Sequence, residues 1–357
     1  MVNIRKYKKL EPYISVVMAA YNDEKYIGEA IESILNQTYV NYEFIIINDG
    51  SSDNTLEIIH KFALMDSRIR VISRENRGLS ISLNEGIAHS NGQWIARMDA
   101  DDISHPLRFE RQMDWLKTHE ADVCGTWIQL FGQRSQLKKY YQEDRFIKTE
   151  LLFGSPIGHA TVLMRASKAK LLKYDPQYER AEDYDFFEKA AATGWRFTNI
   201  PEPLYFYRFH PKQTSIALYR EQQKASQRVR RRYWSFMAGK YDFTQSDINA
   251  VLTARNLDEK TQCNSYQLNL VFEKLLSQGD QEERGVLFNG LLPLYLRISG
   301  GDKEAYKNLI TLCKKYDYSL ATSLKLQVGL LSLFRIKANS SLYRYLENFY
   351  LKFIARN

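Results

Sequence analysis

Cysteine is scarce in this chain, and long apolar runs are missing. Three cysteines among 357 residues, Cys124, Cys263 and Cys313, lie far apart and lack metal-site spacing. They read as reduced thiols, which excludes a disulfide-stapled scaffold and points to the cytoplasm. The longest apolar stretch, 324–334, is interrupted by Lys325 and Gln327 and falls short of the roughly 20 residues a membrane helix needs. Residues 1–10 are basic without an apolar core, so no signal peptide is expected. Neither a G-x-x-x-x-G-K-[ST] nor a G-x-G-x-x-G sequence occurs, which argues against a P-loop or a dinucleotide fold. A nucleoside diphosphate bound here would need a metal to meet most of its charge.

The chain is 44% hydrophobic and 26% charged, a globular composition, and long enough for two domains. Its net charge of +8 suits a polyanionic ligand, an anionic membrane surface or nucleic acid. From residue 14 to about 130, short β-rich runs alternate with helical patterns. Strands are expected at 14–18, 44–47, 69–73 and 93–98, and helices at 27–37, from Asn54 to about 65, and at 79–88. Asn54 and Glu57 have capping-box spacing. This rhythm predicts a mostly parallel sheet with helices on both faces. Ligands then bind beyond the carboxyl ends of the strands, in the loops after Met18, Ile47 and Met98. Further on, a loop at 154–159 precedes a short strand at 161–164. A helix starts near Glu182, and 204–209 forms another strand. Past Pro211 long helical patterns take over, giving an expected division into 1–218 and 219–357.

The most informative stretch is Met98-Asp99-Ala100-Asp101-Asp102. A D-x-D after a strand sets two carboxylates on one side of the backbone. Carboxylates so crowded invite a hard divalent cation, Mg²⁺ or Mn²⁺, whose open positions phosphate oxygens can fill. The alternative is an acidic cap for a helix near Arg108.

S-V-V-M-A-A-Y-N (15–22), N-Q-T-Y-x-N-Y-E-F-I-I-I-N-D-G-S-S-D-N-T (36–55), N-x-G (76–78), N-E-G-I-A-x-S-x-G-x-W-I (84–95) and M-D-A-D-D-x-x-x-P-x-R (98–108), taken together and in order, resemble the family-2 glycosyltransferases. The resemblance covers about 13–215. It implies the GT-A fold and an inverting transfer from a nucleotide-activated sugar. It implies further that Asp49 binds the uracil edge of a UDP-sugar, with Ala20, Tyr21 and Asn22 near the base. Asp101 would ligate the metal, and Asp99 would touch the ribose or the metal shell. The chain departs from the family at Ser82-Leu83-Asn84, where A-R-N is usual; Arg77 is a candidate to replace the missing cation.

Glu182-Asp183 resembles the family's E-D motif, which makes Asp183 the expected catalytic base and Glu182 its substrate-side neighbour. Tyr207-Arg208-Phe209-His210 resembles a Y-R-x-H element, with Arg208 as a diphosphate clamp and His210 as a metal or pyrophosphate contact. His159 is expected on the acceptor side. The expected partners are a nucleotide-sugar donor and a glycan or lipid-linked glycan acceptor of a bacterial surface polysaccharide.

In the last third, Arg228, Arg230, Arg231 and Arg232 precede Tyr233, Trp234 and Phe236, a basic-aromatic cluster suited to an anionic membrane surface. Leu342, Leu346, Phe349 and Phe353 fall at helical spacing near the end. No nucleic-acid fold signature accompanies them, so nucleic acid is not an expected partner. The competing readings are a non-catalytic sugar-nucleotide or glycan-binding module, a transferase acting on a protein or teichoic-acid acceptor, and an aspartyl phosphotransferase. The last places its D-x-D on the first strand, whereas here it follows the fourth.

Overall fold

The computed structural model describes residues 13–209, 219–255, 265–302, 304–336, 340 and 343. Four parallel strands form one side of the sheet: β1 (Ile14–Ala20), β2 (Tyr42–Asp49), β3 (Ile69–Arg74) and β4 (Trp94–Asp99). β1, β2 and β4 are largely apolar runs buried on both faces, as a parallel sheet between helices requires, while the edge strand β3 is buried only at Ile69. Helices α1 (Ile27–Leu35), α2 (Thr55–Met65) and α3 (Leu79–His89) connect them. The other side is mixed. It holds β5 (Ile103–Ser104), β6 (Val123–Gly132), β7 (Gln136–Lys138), β8 (Leu163–Arg165) and β9 (Phe197–Phe209). Among the described residues the sheet runs β3-β2-β1-β4-β8-β6-β9-β5, with β7 on β6. Helices α4 (Arg108–Thr118), α5 (Asp144–Glu150), α6 (Ala166–Leu172) and α7 (Glu182–Ala192) complete this part.

Register fixes the site. Ala20 pairs with Asn48 and Ala19 with Asp99, so β1, β2 and β4 end at one level. Their outgoing loops therefore meet in a single crevice, as the sequence pattern predicts.

Three local expectations need correction. Asn54 does not cap α2 with its side chain; its amide Nδ2 donates to Glu24 at 2.8 Å, and Asp53 accepts the Thr55 N–H at 3.0 Å instead. The segment 159–161 is a 3-10 turn, and the strand after it is only Leu163–Arg165. The long strand β6, paired in parallel with β9, has no counterpart among the expected elements.

The chain divides into two compact units, 1–147 with 155–225, and 148–154 with 226–357. The second is helical: α8 (Tyr219–Phe236, shared at its start), α9 (Ala238–Tyr241), α10 (Gln245–Arg255), α11 (Ser265–Gln278), α12 (Gln281–Ser299), α13 (Glu304–Lys315) and α14 (Thr322–Leu333). The expected basic-aromatic surface is only partly a surface: Arg228, Arg231 and Phe236 are exposed, but its other aromatics are not. Tyr233 and Trp234 are fully buried; their OH and Nε1 donate to the carbonyls of Lys148 and Leu152 at 2.9 and 2.8 Å. Arg230 is buried too, its Nε donating to the Phe153 carbonyl. Ring area outweighs nearby charge here: aromatic side chains bury more apolar surface than any others, so they enter the core and carry Arg230 with them. Most of the stretch 342–353 lies outside the described residues. No helix among the described residues is long and apolar enough to cross a membrane.

Candidate active site

The loop after β2 is organised by Asp49. Its buried carboxylate accepts the N–H groups of Arg77 and Gly78 at 2.8 and 3.0 Å and pairs with the Arg74 guanidinium. Gly50 has φ +73°, and a Cβ there would meet the Asn76 nitrogen at 2.6 Å, so only glycine lets these loops close together. Arg74 also reaches Ser82 and Glu85, which lie on α3 either side of Leu83, where the family cation is missing. The cation beside Asp49 is therefore Arg74. The Arg77 side chain is half exposed and pairs with Glu75, so it does not take that place.

The loop after β1 is tied to the same point. Asn22, in left-handed backbone (φ 57°), donates its N–H to Ser51 Oγ and accepts the Ser52 N–H on its side-chain oxygen at 2.8 Å. Its side chain locks two loops together and does not point free for a base. Ala20 is buried, whereas the Tyr21 ring is 51% exposed and open to stacking.

At the end of β4 the three aspartates gather. One carboxylate oxygen each from Asp99, Asp101 and Asp102 lies within 4.8 Å of the others. Asp102 is the buried member, with Oδ1 accepting the Arg208 N–H at 2.7 Å. Burial, then Asp101 and Asp99, push its carboxyl well above the usual range. Asp23, from the β1 loop, was absent from the expected site. Burial raises it to about 7, against the pull of the Tyr21 amide, and the charges of Asp101, Asp99 and Asp53 add to this. Such mutual repulsion among oxygen donors is what a hard divalent cation relieves, so the donor set fits Mn²⁺ or Mg²⁺. Among the described residues this is the one cluster of metal-ligating side chains.

Arg208 corrects another expectation. Its Nε donates to the Asp101 carbonyl at 2.8 Å, its Nη2 meets Glu29 at 2.7 Å, and it lies over the Tyr26 and Phe131 rings. The guanidinium braces the acidic turn from β9 and does not stand ready as a diphosphate clamp. His210 lies outside the described residues.

Glu182 and Asp183 form the first turn of α7, where the helix dipole favours negative charge. Both stay partly solvent-accessible. Burial raises Asp183, while the Ser155 hydroxyl, the Tyr184 amide and the charges of Lys138 and Arg97 pull it back. Glu182 rises to about 7, through burial and then the neighbouring Asp183 charge. His159 joins the Tyr174 hydroxyl at 2.8 Å and packs edge-on against Phe187. Burial and the Arg97 charge hold its imidazole neutral. Sequence reasoning missed Asp23, Arg74, Arg97 and Ser155, since each stands outside a motif and acts only through the folded chain.

The family model described as glycosyl transferase family 2 matches residues 15–174. An uncharacterized glycosyltransferase of Haemophilus influenzae is 35% identical over 255 residues, covering 67% of this chain and 79% of that protein. The O-antigen biosynthesis glycosyltransferase WbnJ of Escherichia coli is 33% identical over 209 residues, 56% of this chain and 81% of its own. Among solved structures, S. aureus TarS 1-349 in complex with UDP-GlcNAc has a TM-score of 0.56 at 17% identity, over 92% of this chain and 93% of that one. At that identity the likeness is one of fold.

Proposed function

The chain belongs to glycosyltransferase family 2, and we propose that it is an inverting enzyme that moves one sugar from a UDP-sugar to a glycan or lipid-linked glycan of a surface polysaccharide. The observations that support this reading are the three crowded aspartates ending β4 and a separate Asp183, acted on by Lys138 and Arg97, opening α7. Relatives such as the E. coli O-antigen enzyme support the polysaccharide setting. Asp49 at the end of β2 supports the nucleoside side: of roughly four acceptor positions on a carboxylate, three are in use, leaving one for a base N–H.

In this reading Asp99, Asp101 and Asp102 hold Mn²⁺ or Mg²⁺, which supplies charge neutralisation for the diphosphate leaving group. Asp183 accepts the proton of the acceptor hydroxyl as that oxygen forms its bond to the anomeric carbon. The sugar–phosphate C–O bond breaks, its electron pair goes to the diphosphate oxygen, and the configuration inverts. Ser155 aims the Asp183 carboxylate, and Tyr21 offers its ring to the base.

The test is a nucleotide-release screen over UDP-, GDP- and dTDP-sugars with Mn²⁺, run on the wild type and on Asp183→Asn. UDP release by the wild type is expected, with binding of UDP-sugar retained and turnover lost in the variant. Turnover in Asp183→Asn would overturn the base assignment.

A further inference from the structure

Helix α14 is apolar on two sides. On one, Val328 and Leu331 are buried where the helix packs against α12 and α13, and Ser332 Oγ donates to the Asp302 carbonyl at 3.2 Å. On the other, Leu326, Leu330, Leu333 and Phe334, just past the helix end, are between 43% and 74% exposed. Their spacing of i, i+4, i+7 and i+8 sets them in one stripe. Single exposed leucines are ordinary, but four apolar side chains aligned on one helix mark a surface that meets something.

The charges around this stripe are of one sign. No aspartate or glutamate occurs from 318 to 346, the longest acid-free run in the chain, and that run carries Lys325, Arg335, Lys337 and Arg344. Arg335 closes the helix in left-handed backbone (φ 51°), and beyond it the Ile336 N–H donates to the Leu331 carbonyl at 3.1 Å. This is the helix-end position that glycine fills most easily, and an L side chain there strains the backbone. The turn thus holds an exposed cation directly beside Leu333 and Phe334, where backbone geometry alone would choose glycine.

We propose that α14 docks on an anionic lipid surface, its leucines and Phe334 entering the boundary between headgroups and acyl chains while Arg335 meets lipid phosphates. A second copy of the chain fits this stripe less well. The same face on both copies would set cation against cation, with no acid in the run to answer either. An acidic protein would answer the charge, but a ridge of four side chains is far smaller than the about twenty residues that a stable protein interface presents on each side. A bilayer needs no shaped partner and takes up a lone amphipathic helix. The inference stands apart from the donor, metal and base assignments, so their failure leaves it untouched.

The experiment mixes the full chain with vesicles of phosphatidylcholine, alone or with about one-third phosphatidylglycerol, and reads bound protein by co-sedimentation. The wild type is expected on the anionic vesicles and not on the neutral ones, with binding that falls as salt rises. Leu333→Gln combined with Phe334→Gln should weaken that binding at least about tenfold. Arg335→Gly should weaken it about fivefold while Tm stays level or rises, because glycine suits the backbone there. An arginine with a purely structural role would do the reverse, lowering Tm and leaving binding alone. Circular dichroism confirms folding, and if the double variant does not fold, Arg335→Gly decides. A wild type that ignores anionic vesicles, or binds both kinds equally, would overturn the proposal. So would binding that neither variant changes, the result expected if a second copy or the chain's own end covers the stripe.

Discussion

At the end of β4, Asp99, Asp101 and Asp102 crowd together, with the charge of Asp23 close by. At the start of α7, Glu182 and Asp183 are flanked by Arg97, Lys138 and the Ser155 hydroxyl. In the first group Arg97 pairs with Asp99, and burial with mutual repulsion leaves Asp102 and Asp23 raised. In the second, burial also raises both carboxyls, but two cations, Lys138 and Arg97, pull Asp183 back. Acidity alone therefore does not mark a metal site. What separates the two is whether the fold has already supplied the counter-charge.

The comparison can be broken most sharply at its two centres. Asp101→Ala is expected to cut sugar transfer by about 10³-fold and to remove the dependence of UDP binding on Mn²⁺, read by calorimetry with and without chelator. Asp183→Asn is expected to lose about 10²- to 10⁴-fold in kcat while UDP binding holds; equal loss of binding in both variants would erase the distinction. Next comes pH. Burial raises Asp183, and the neighbouring Glu182 is raised to about 7; Asp183 must be ionised to take a proton. The rate should therefore climb with pH to a plateau, and Glu182→Gln should move that acid limb downward by removing a like charge.

Asp23 offers a smaller, stability-based test. Burial raises its folded carboxyl to about 7 from the ordinary 3.8, so between those values the native state holds a proton that the unfolded chain has lost. Stability from this group is present at low pH and is lost as pH rises through that window. Asp23→Asn should raise metal-free stability at pH 8 by about 1 kcal/mol, measured by denaturant unfolding, and should shrink the Tm gain from Mn²⁺. A Tm gain unchanged by the substitution would separate Asp23 from the cluster. The smallest effect belongs to Arg77: its side chain touches only Glu75 among its described ion pairs, so Arg77→Ala should change donor KM by less than about twofold, whereas Arg74→Ala, which strips Asp49 of its partner, should raise it about tenfold.

Much of this could be read from the chain alone. The apolar runs at 14–18, 44–47 and 93–98 were long enough and β-branched enough to declare parallel strands, and their loops carried Asp49 and the triple aspartate. Misreadings arose where a side chain had more than one use. Asn22, Asn54 and Arg208 each belong to types that bind ligands or cap helices, yet each is taken up by a partner distant in sequence. Tyr233 and Trp234 looked like a surface because of the arginines beside them, and periodicity alone could not say which face turned inward. Arg97 was hidden in an apolar strand, where a lone cation gives no spacing pattern to detect.

The short excursion of residues 148–154 into the helical unit has a practical meaning. Because that unit is made of two stretches of chain, no single cut can release the sugar-transfer half whole. A protein ending at residue 225 would keep Leu151, Leu152 and Phe153 but lose Trp234, Tyr233 and the α12 glycine, Gly290, against which Phe153 packs. Those side chains would then meet water just ahead of Ser155, whose hydroxyl holds down the Asp183 carboxyl. Loss of the C-terminal helices should thus lower activity without removing Asp101 or Asp183, because seven residues of the helical unit interrupt the other stretch of chain.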